Sequence, residues 1–409
     1  MKKILLTVTC AVLLLLLFFD SNLYAQPGRI CGVVHTRDGE TFRGPIRWDK
    51  NEAFWDDILD GTKKREGRHW EGRRREKRID ILGLRISWDE GVTEIKASSG
   101  IQFGYIKSLE RRSRNRAILE LKNGERITFY GYSTDIGSGV REILIDDPEQ
   151  GEVELDWDDL DVVEFSECDP AHIIKPQRRL YGEVETRRGD KFKGFITWDM
   201  DELFHSDILD GEERHRTRKI PFEKIKAIER RSSSSAWVYL RNGDRMRLSG
   251  TNDVDSGNRG IVVKDPDFGR VTIEWDDFDR LEILDGAEKY LVRYDEFEEI
   301  RPLYGVVYDE DGDSYEGFIR WDDDEAYTWE LLDGECCRVE IDVEFSQIAE
   351  IEKASSRSCR VTLRNGNSFK LSGSNDVNDE NKGIFVTTEE GGEIELDWYD
   401  FEKVIFKQK

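Results

Sequence analysis

Residues 181–211 read YGEVETRRGDKFKGFITWDMDELFHSDILDG. Apolar and polar residues alternate from Tyr181 to Thr186, a turn follows at Arg188-Gly189, and alternation resumes from Lys191 to Trp198. A period of two marks a half-buried strand, so this stretch predicts strand, turn, strand. The same text returns at residues 31–61 (CGVVHTRDGETFRGPIRWDKNEAFWDDILDG) and 304–334 (YGVVYDEDGDSYEGFIRWDDDEAYTWELLDG). A second block follows each copy, at 119–131 (LELKNGERITFYG), 238–250 (VYLRNGDRMRLSG) and 361–373 (VTLRNGNSFKLSG). A third closes each copy, at 151–165 (GEVELDWDDLDVVEF), 269–284 (GRVTIEWDDFDRLEIL) and 392–406 (GEIELDWYDFEKVIF). Self-similarity on this scale decides the architecture before any single residue does.

The second block carries Asn123-Gly124, Asn242-Gly243 or Asn365-Gly366, the dipeptide that suits a tight hairpin because both turn positions need positive φ. Ile220–Ile228, Gly260–Val263 and Val271–Trp275 add further strands. No stretch after the N-terminal segment sustains a helical period, though short helical turns are expected near Trp198–Phe204 and Asp276–Asp279. The expected fold class is all-β. The two halves of each repeat also resemble one another. Val184, Gly189, Phe192, Gly194 and Ile196 in one half, and Leu240, Gly243, Leu248, Gly250 and Val262 in the other, carry a resemblance to SH3-like and Sm-like small β-barrels. That resemblance implies three tandem repeats, each of two small barrels; the chain as a whole also resembles secreted bacterial repeat proteins. A six-bladed β-propeller is the alternative, since each half is close to a blade in length. The long joints favour modules packed pairwise over blades. The expected organisation is a signal peptide at 1–25, repeat 1 at 26–166 with a basic insertion at 62–100, a linker at 167–179, repeat 2 at 180–284, a linker at 285–302 and repeat 3 at 303–409.

Lys2 and Lys3, the apolar run Ile4–Phe19 and the small-residue end at Ala25 read as a cleavable secretory signal. The run is short for a spanning helix, which needs ~20 residues. A secreted or periplasmic location is expected, with no transmembrane segment in the mature chain. The formal charge is −25, and −26 once residues 1–25 are removed; such a chain repels nucleic-acid backbones, so the RNA binding typical of Sm-like barrels is not expected. One segment breaks the trend. Lys63–Arg78 reads KKREGRHWEGRRREKR, inside the insertion that only the first repeat has. Its Lys63, Lys64, Arg65, Arg68, Arg73, Arg74, Arg75, Lys77 and Arg78 would suit an anionic surface, although most charge runs are solvated loops. Of the cysteines, Cys31, Cys168, Cys336, Cys337 and Cys359 follow the signal, an odd number at positions that do not recur. The fold is therefore expected to rest on apolar cores and not on a disulfide framework.

Three recurring constellations carry chemistry. Trp-Asp-x-x-Glu appears as Trp48, Asp49 and Glu52, as Trp198, Asp199 and Glu202, and as Trp321, Asp322 and Glu325. An indole face with adjacent carboxylates would form a sugar platform; equally, Trp would cap the core while the acids bond to turn N–H groups. A second tryptophan set, Trp157, Trp275 and Trp398, is expected to pack between the halves. The third is an Asn/Asp loop. Asn252, Asp253 and Asp255, with Asn375, Asp376 and Asn378, supply oxygens at alternate positions as a calcium loop would, against the simpler reading of an Asx-rich turn. A glycosidase needs two carboxylates in unlike environments, whereas triplication repeats one environment three times. The expected function is thus a secreted or periplasmic, non-catalytic binding or scaffold protein of the cell envelope, with a glycan or envelope protein as partner and calcium as the one cofactor considered. A carbohydrate-active hydrolase and a calcium-stabilised adhesion module are the alternatives.

Overall fold

The computed structural model describes residues 28–64, 96–131, 135–173, 177–297 and 300–408. Among them every regular element is a strand or a three-residue 3₁₀ turn, so the protein is all-β. The expected signal segment lies outside the described residues. No helix among the described residues is long and apolar enough to cross a membrane.

The second repeat shows the construction. Strands 181–186 and 191–197 form the predicted hairpin, with Tyr181 opposite Phe195 and Gly182 opposite Gly194. A second hairpin, 208–213 with 216–221, follows. Strands 225–232, 235–240 and 245–249 form a meander. A third hairpin, 261–265 with 269–273, leads to the closing strand 278–283. That closing strand lies between 181–186 and 225–232. Strand 261–265 pairs back onto 191–197, and 245–249 meets 208–213. The same partners recur in residues 31–165 and 304–406.

This corrects the expectation of two small barrels per repeat. The halves exchange strands, and among the described residues no sheet closes on itself; each set of ten strands is linked in one open, antiparallel order, with the buried residues of the second and third sets packed into one shared cluster. Separate propeller blades are excluded by the same exchange. Period-two alternation says which face of a strand is buried but not which strand it joins. The glycine pairs show how tightly the layers approach: a Cβ on Gly194 would lie 1.7 Å from the carbonyl oxygen of Lys264.

The two tryptophan sets meet inside each core. Trp198 stands edge-on to Trp275 at 6.3 Å, and Trp48–Trp157 and Trp321–Trp398 repeat the pair at the same distance. Each indole N–H is satisfied by a carbonyl: Trp198 by Asp253 and Trp275 by Ser232. The second set is therefore core, buried within a repeat.

The repeats are not a string of pairwise beads, because each touches both others. Strand 269–273 of the second pairs with 339–344 of the third, setting Arg270 opposite Asp342 and joining their strands into one sheet of twenty. Arg270 bonds Asp342 at 2.7 Å and reaches Asp60 of the first repeat at 2.8 and 3.1 Å. Phe54 packs on Phe204 between the first and second, and Tyr105 donates to Glu344 between the first and third.

Two further corrections concern the first repeat. Strands 58–64 and 96–102 form the hairpin whose turn is only Arg214-His215 or Cys337-Arg338 in the other repeats, both with paired positive φ. The expected insertion at 62–100 thus begins and ends in paired strand, at 62–64 and 96–100, and residues 65–95 lie outside the described residues. A disulfide joins Cys31 to Cys168, tying the first strand to the joint after repeat 1, so the fold does not rest on apolar cores alone.

Candidate functional site

Trp48, Trp198 and Trp321 are completely buried. An indole without an exposed face cannot stack on a sugar, so the platform reading fails for these residues. Their neighbours explain the recurrence. Asp49, Asp199 and Asp322 each sit in a left-handed conformation, followed by Lys50, Met200 or Asp323 with positive φ as well, and the turn returns the chain to pair Trp with Glu. The Asp199 carboxylate accepts from the Arg259 backbone N–H at 2.6 Å and from its guanidinium at 2.8 Å. Arg141 serves Asp49 and Lys382 serves Asp322 in the same way.

The structure brings together two constellations that are far apart in sequence. Asn252 donates to Asp199, and Asn375 to Asp322. Asp253 accepts from the Asp210 N–H at 2.6 Å. Carboxylate oxygens of Asp199, Glu202 and Asp253 lie within 4.8 Å of one another, as do those of Asp322, Glu325 and Asp376. Asp255 and Asn378 do not join them: each accepts from a backbone N–H two residues on, the Asx-turn geometry. The alternating oxygens of the loop therefore do not converge on one point. The place a cation would neutralise is flanked in each repeat by Arg141, Arg259 or Lys382.

The loose members of these clusters are the glutamates. Oε2 of Glu52, Glu202 and Glu325 is buried without a hydrogen-bond partner. Burial, then the negative field of Asp253 and its neighbours, pushes the Glu202 carboxyl up to about 9. Burial followed by Asp135 raises Glu52 well above the usual range, and burial followed by Asp324 does the same for Glu325. At about 9, the Glu202 carboxyl keeps its proton at neutral pH.

Sequence reasoning missed a fourth recurring group, Asp57, Asp207 and Glu330 in DDILDG, SDILDG and WELLDG. Asp57 accepts from the N–H groups of Ala53 and Phe54, and Asp207 and Glu330 fold the same turn. Each carboxylate also holds a cation from elsewhere in the chain: Asp57 takes Arg179 of the joint and Lys264 of the second repeat at 2.7 Å, while Asp207 takes Arg47 and Glu330 takes Lys63 of the first. Their recurrence in every copy was the available signal. Lys63 is thereby removed from the anionic-surface set, since it is buried between the first and third repeats. The Lys64 side chain, Arg65, Arg68, Arg73, Arg74, Arg75, Lys77 and Arg78 lie outside the described residues.

Where the repeats meet, a cavity of about 520 Å³ opens. Tyr105 comes from the first repeat, Tyr181 and Lys264 from the second, Asp342 and Glu344 from the third, and Tyr290 from the joint. The Tyr181 and Tyr290 rings stack at 5.7 Å and 20°, and Tyr290 is 47% exposed. Glu344 accepts from Tyr105 Oη at 2.9 Å, and burial pushes its carboxyl up to about 7. A smaller cavity of about 270 Å³ shares Lys264, Arg270 and Asp342 with the first and is lined by Glu52. The chain matches no known family model and no curated protein.

Proposed function

We propose that this is an extracytoplasmic, non-catalytic binding protein that holds a saccharide in the cavity between its three repeats. One observation carries the reading: aromatic faces at Tyr181 and Tyr290 converge there with Lys264, Arg270 and Asp342 from two repeats. The volume falls in the ~300–1,000 Å³ range of small-ligand sites, and aromatic bodies with a few placed polar groups are what such sites use. The Cys31–Cys168 bridge supports an oxidising compartment, in line with the N-terminal signal pattern. The recurring carboxylate clusters serve the fold, which leaves the unique junction as the place for specificity.

Titration calorimetry with neutral and acidic oligosaccharides tests this. Binding is expected, and Tyr290→Ala should weaken it about tenfold while leaving the melting temperature unchanged. No binding across the panel, or full affinity in Tyr290→Ala, refutes the proposal. A second reading, hydrolysis, is favoured by Glu344, whose raised carboxyl would suit a general acid beside Asp342. Release of reducing sugar, abolished in Glu344→Gln, would decide for it.

A further inference from the structure

The second and third repeats are joined by strand addition. The outer edge of 269–273, the end of one repeat's third hairpin, pairs with the outer edge of 339–344, the end of the next repeat's second hairpin. Among the described residues, equivalents of these edges are left over in the second and third repeats, as are 96–102 and 151–155 in the first. Strand 216–221 holds in the second repeat the place that 339–344 holds in the third, and among the described residues it pairs only with 208–213. Strand 393–396 holds in the third repeat the place of 269–273, and among the described residues it pairs only with 384–387. Both edges face water: Arg216 to Lys219 are exposed, as are Glu393 and Glu395.

Their charges are opposite. Aligning GEIELDW with GRVTIEW and RTRKIPF with VEIDVEF transfers the observed register to the free edges. Glu393 then stands opposite Lys219, where Arg270 stands opposite Asp342. The junction ion pair is reproduced with its signs exchanged. Ile394 falls opposite Arg218, and Glu395 opposite Thr217.

We propose that the protein self-associates by β-strand addition, the basic edge 216–221 of one copy pairing with the acidic edge 393–396 of a second copy. Unpaired edge N–H and C=O groups supply the attraction, and the opposed charges fix register and partner. The first repeat has a similar acidic edge at 151–155, but the strand beside it, 143–147, starts next to Arg141, which is bound to Asp201 of the second repeat. Glu152 and Glu154 are exposed like Glu393 and Glu395, so the variant E152K distinguishes this edge from 393–396. The two edges differ, so the contact is heterologous and leaves a free edge of each kind on a pair of copies unless both are exchanged.

Sedimentation equilibrium of the full mature chain over a concentration series, at low and high salt, tests this. The expected result is a mass that rises above the monomer with concentration and falls with salt. K219E and E393K should each weaken association roughly two- to thirtyfold, the range for turning one cross-strand attraction into repulsion. An equimolar mixture of K219E and E393K should recover association, because it restores an opposite-charge pair; E152K should leave it unchanged. Lys219, Glu393 and Glu152 are all exposed, and unchanged melting curves will show that the variants fold. A monomer at every concentration, indifference to K219E and E393K, or a mixture no better than either variant alone would overturn the proposal.

Discussion

Replacing Glu202 by Gln is expected to stabilise the protein at neutral pH and to leave its acid stability unchanged. The Glu202 carboxyl is buried beside Asp253, Asp201 and Asp199, and its Oε2 has no hydrogen-bond partner. It titrates at about 9 in the fold against 4.5 for the ordinary group. A raised carboxyl keeps its proton in the native state while the unfolded chain releases its own. Its contribution is therefore fully present below pH 4.5 and is lost as the pH climbs towards 9. The loss accumulates at about 1.4 kcal/mol per pH unit, which comes to about 3 kcal/mol at pH 7. Gln keeps the shape and cannot ionise, so it should recover most of that. Urea unfolding followed by the fluorescence of the buried tryptophans, at pH 5 and pH 7.5, measures the difference. The variant's midpoint should be clearly higher at pH 7.5 and nearly coincident with wild type at pH 5. Equal midpoints at pH 7.5, or the same gain at both pH values, would refute the electrostatic argument.

Other expectations follow from single contacts. Gly194→Ala places a methyl group 1.7 Å from the Lys264 carbonyl oxygen, so it should cost about 2 kcal/mol or more and lower the melting temperature. Cys31→Ser opens a link between residues 137 apart in sequence and should cost about 2–5 kcal/mol by denaturant unfolding, matched by wild type under reducing conditions. Lys63→Ala leaves Glu330 buried without its cation and should destabilise the contact between the first and third repeats by about 3–5 kcal/mol, seen as earlier proteolysis at that junction.

Strand alternation was legible wherever one face is wet. Tyr181–Thr186 and Lys191–Thr197 are strands as read, and the Asn-Gly pairs sit between strands in all three copies. The hairpin 208–213 with 216–221 was hidden, because its two-residue turn uses Arg214 and His215 at positive φ in place of the usual Gly or Asn. In the third repeat Cys337 and Arg338 hide it in the same way. The tryptophans were recognised as recurrent, but a strand-end indole looks the same in sequence whether it turns inward or outward. The carboxylate clusters could not be read at all as clusters: Glu202 and Asp253 are brought together only when strand 245–249 meets 208–213.

Local chemistry is short-ranged, so the sequence alone settled the all-β class, the glycine-bearing turns and the threefold recurrence of its blocks. Everything that depends on which strand lies beside which waited for the tertiary structure. Hydrophobic burial rewards any partner that covers an apolar face, and alternation does not name that partner. The exchange of strands between halves, the joining of Asp199 to Arg259, and the meeting of Asp60, Arg270 and Asp342 are products of packing. So is the cavity at that meeting point, which no single repeat encodes.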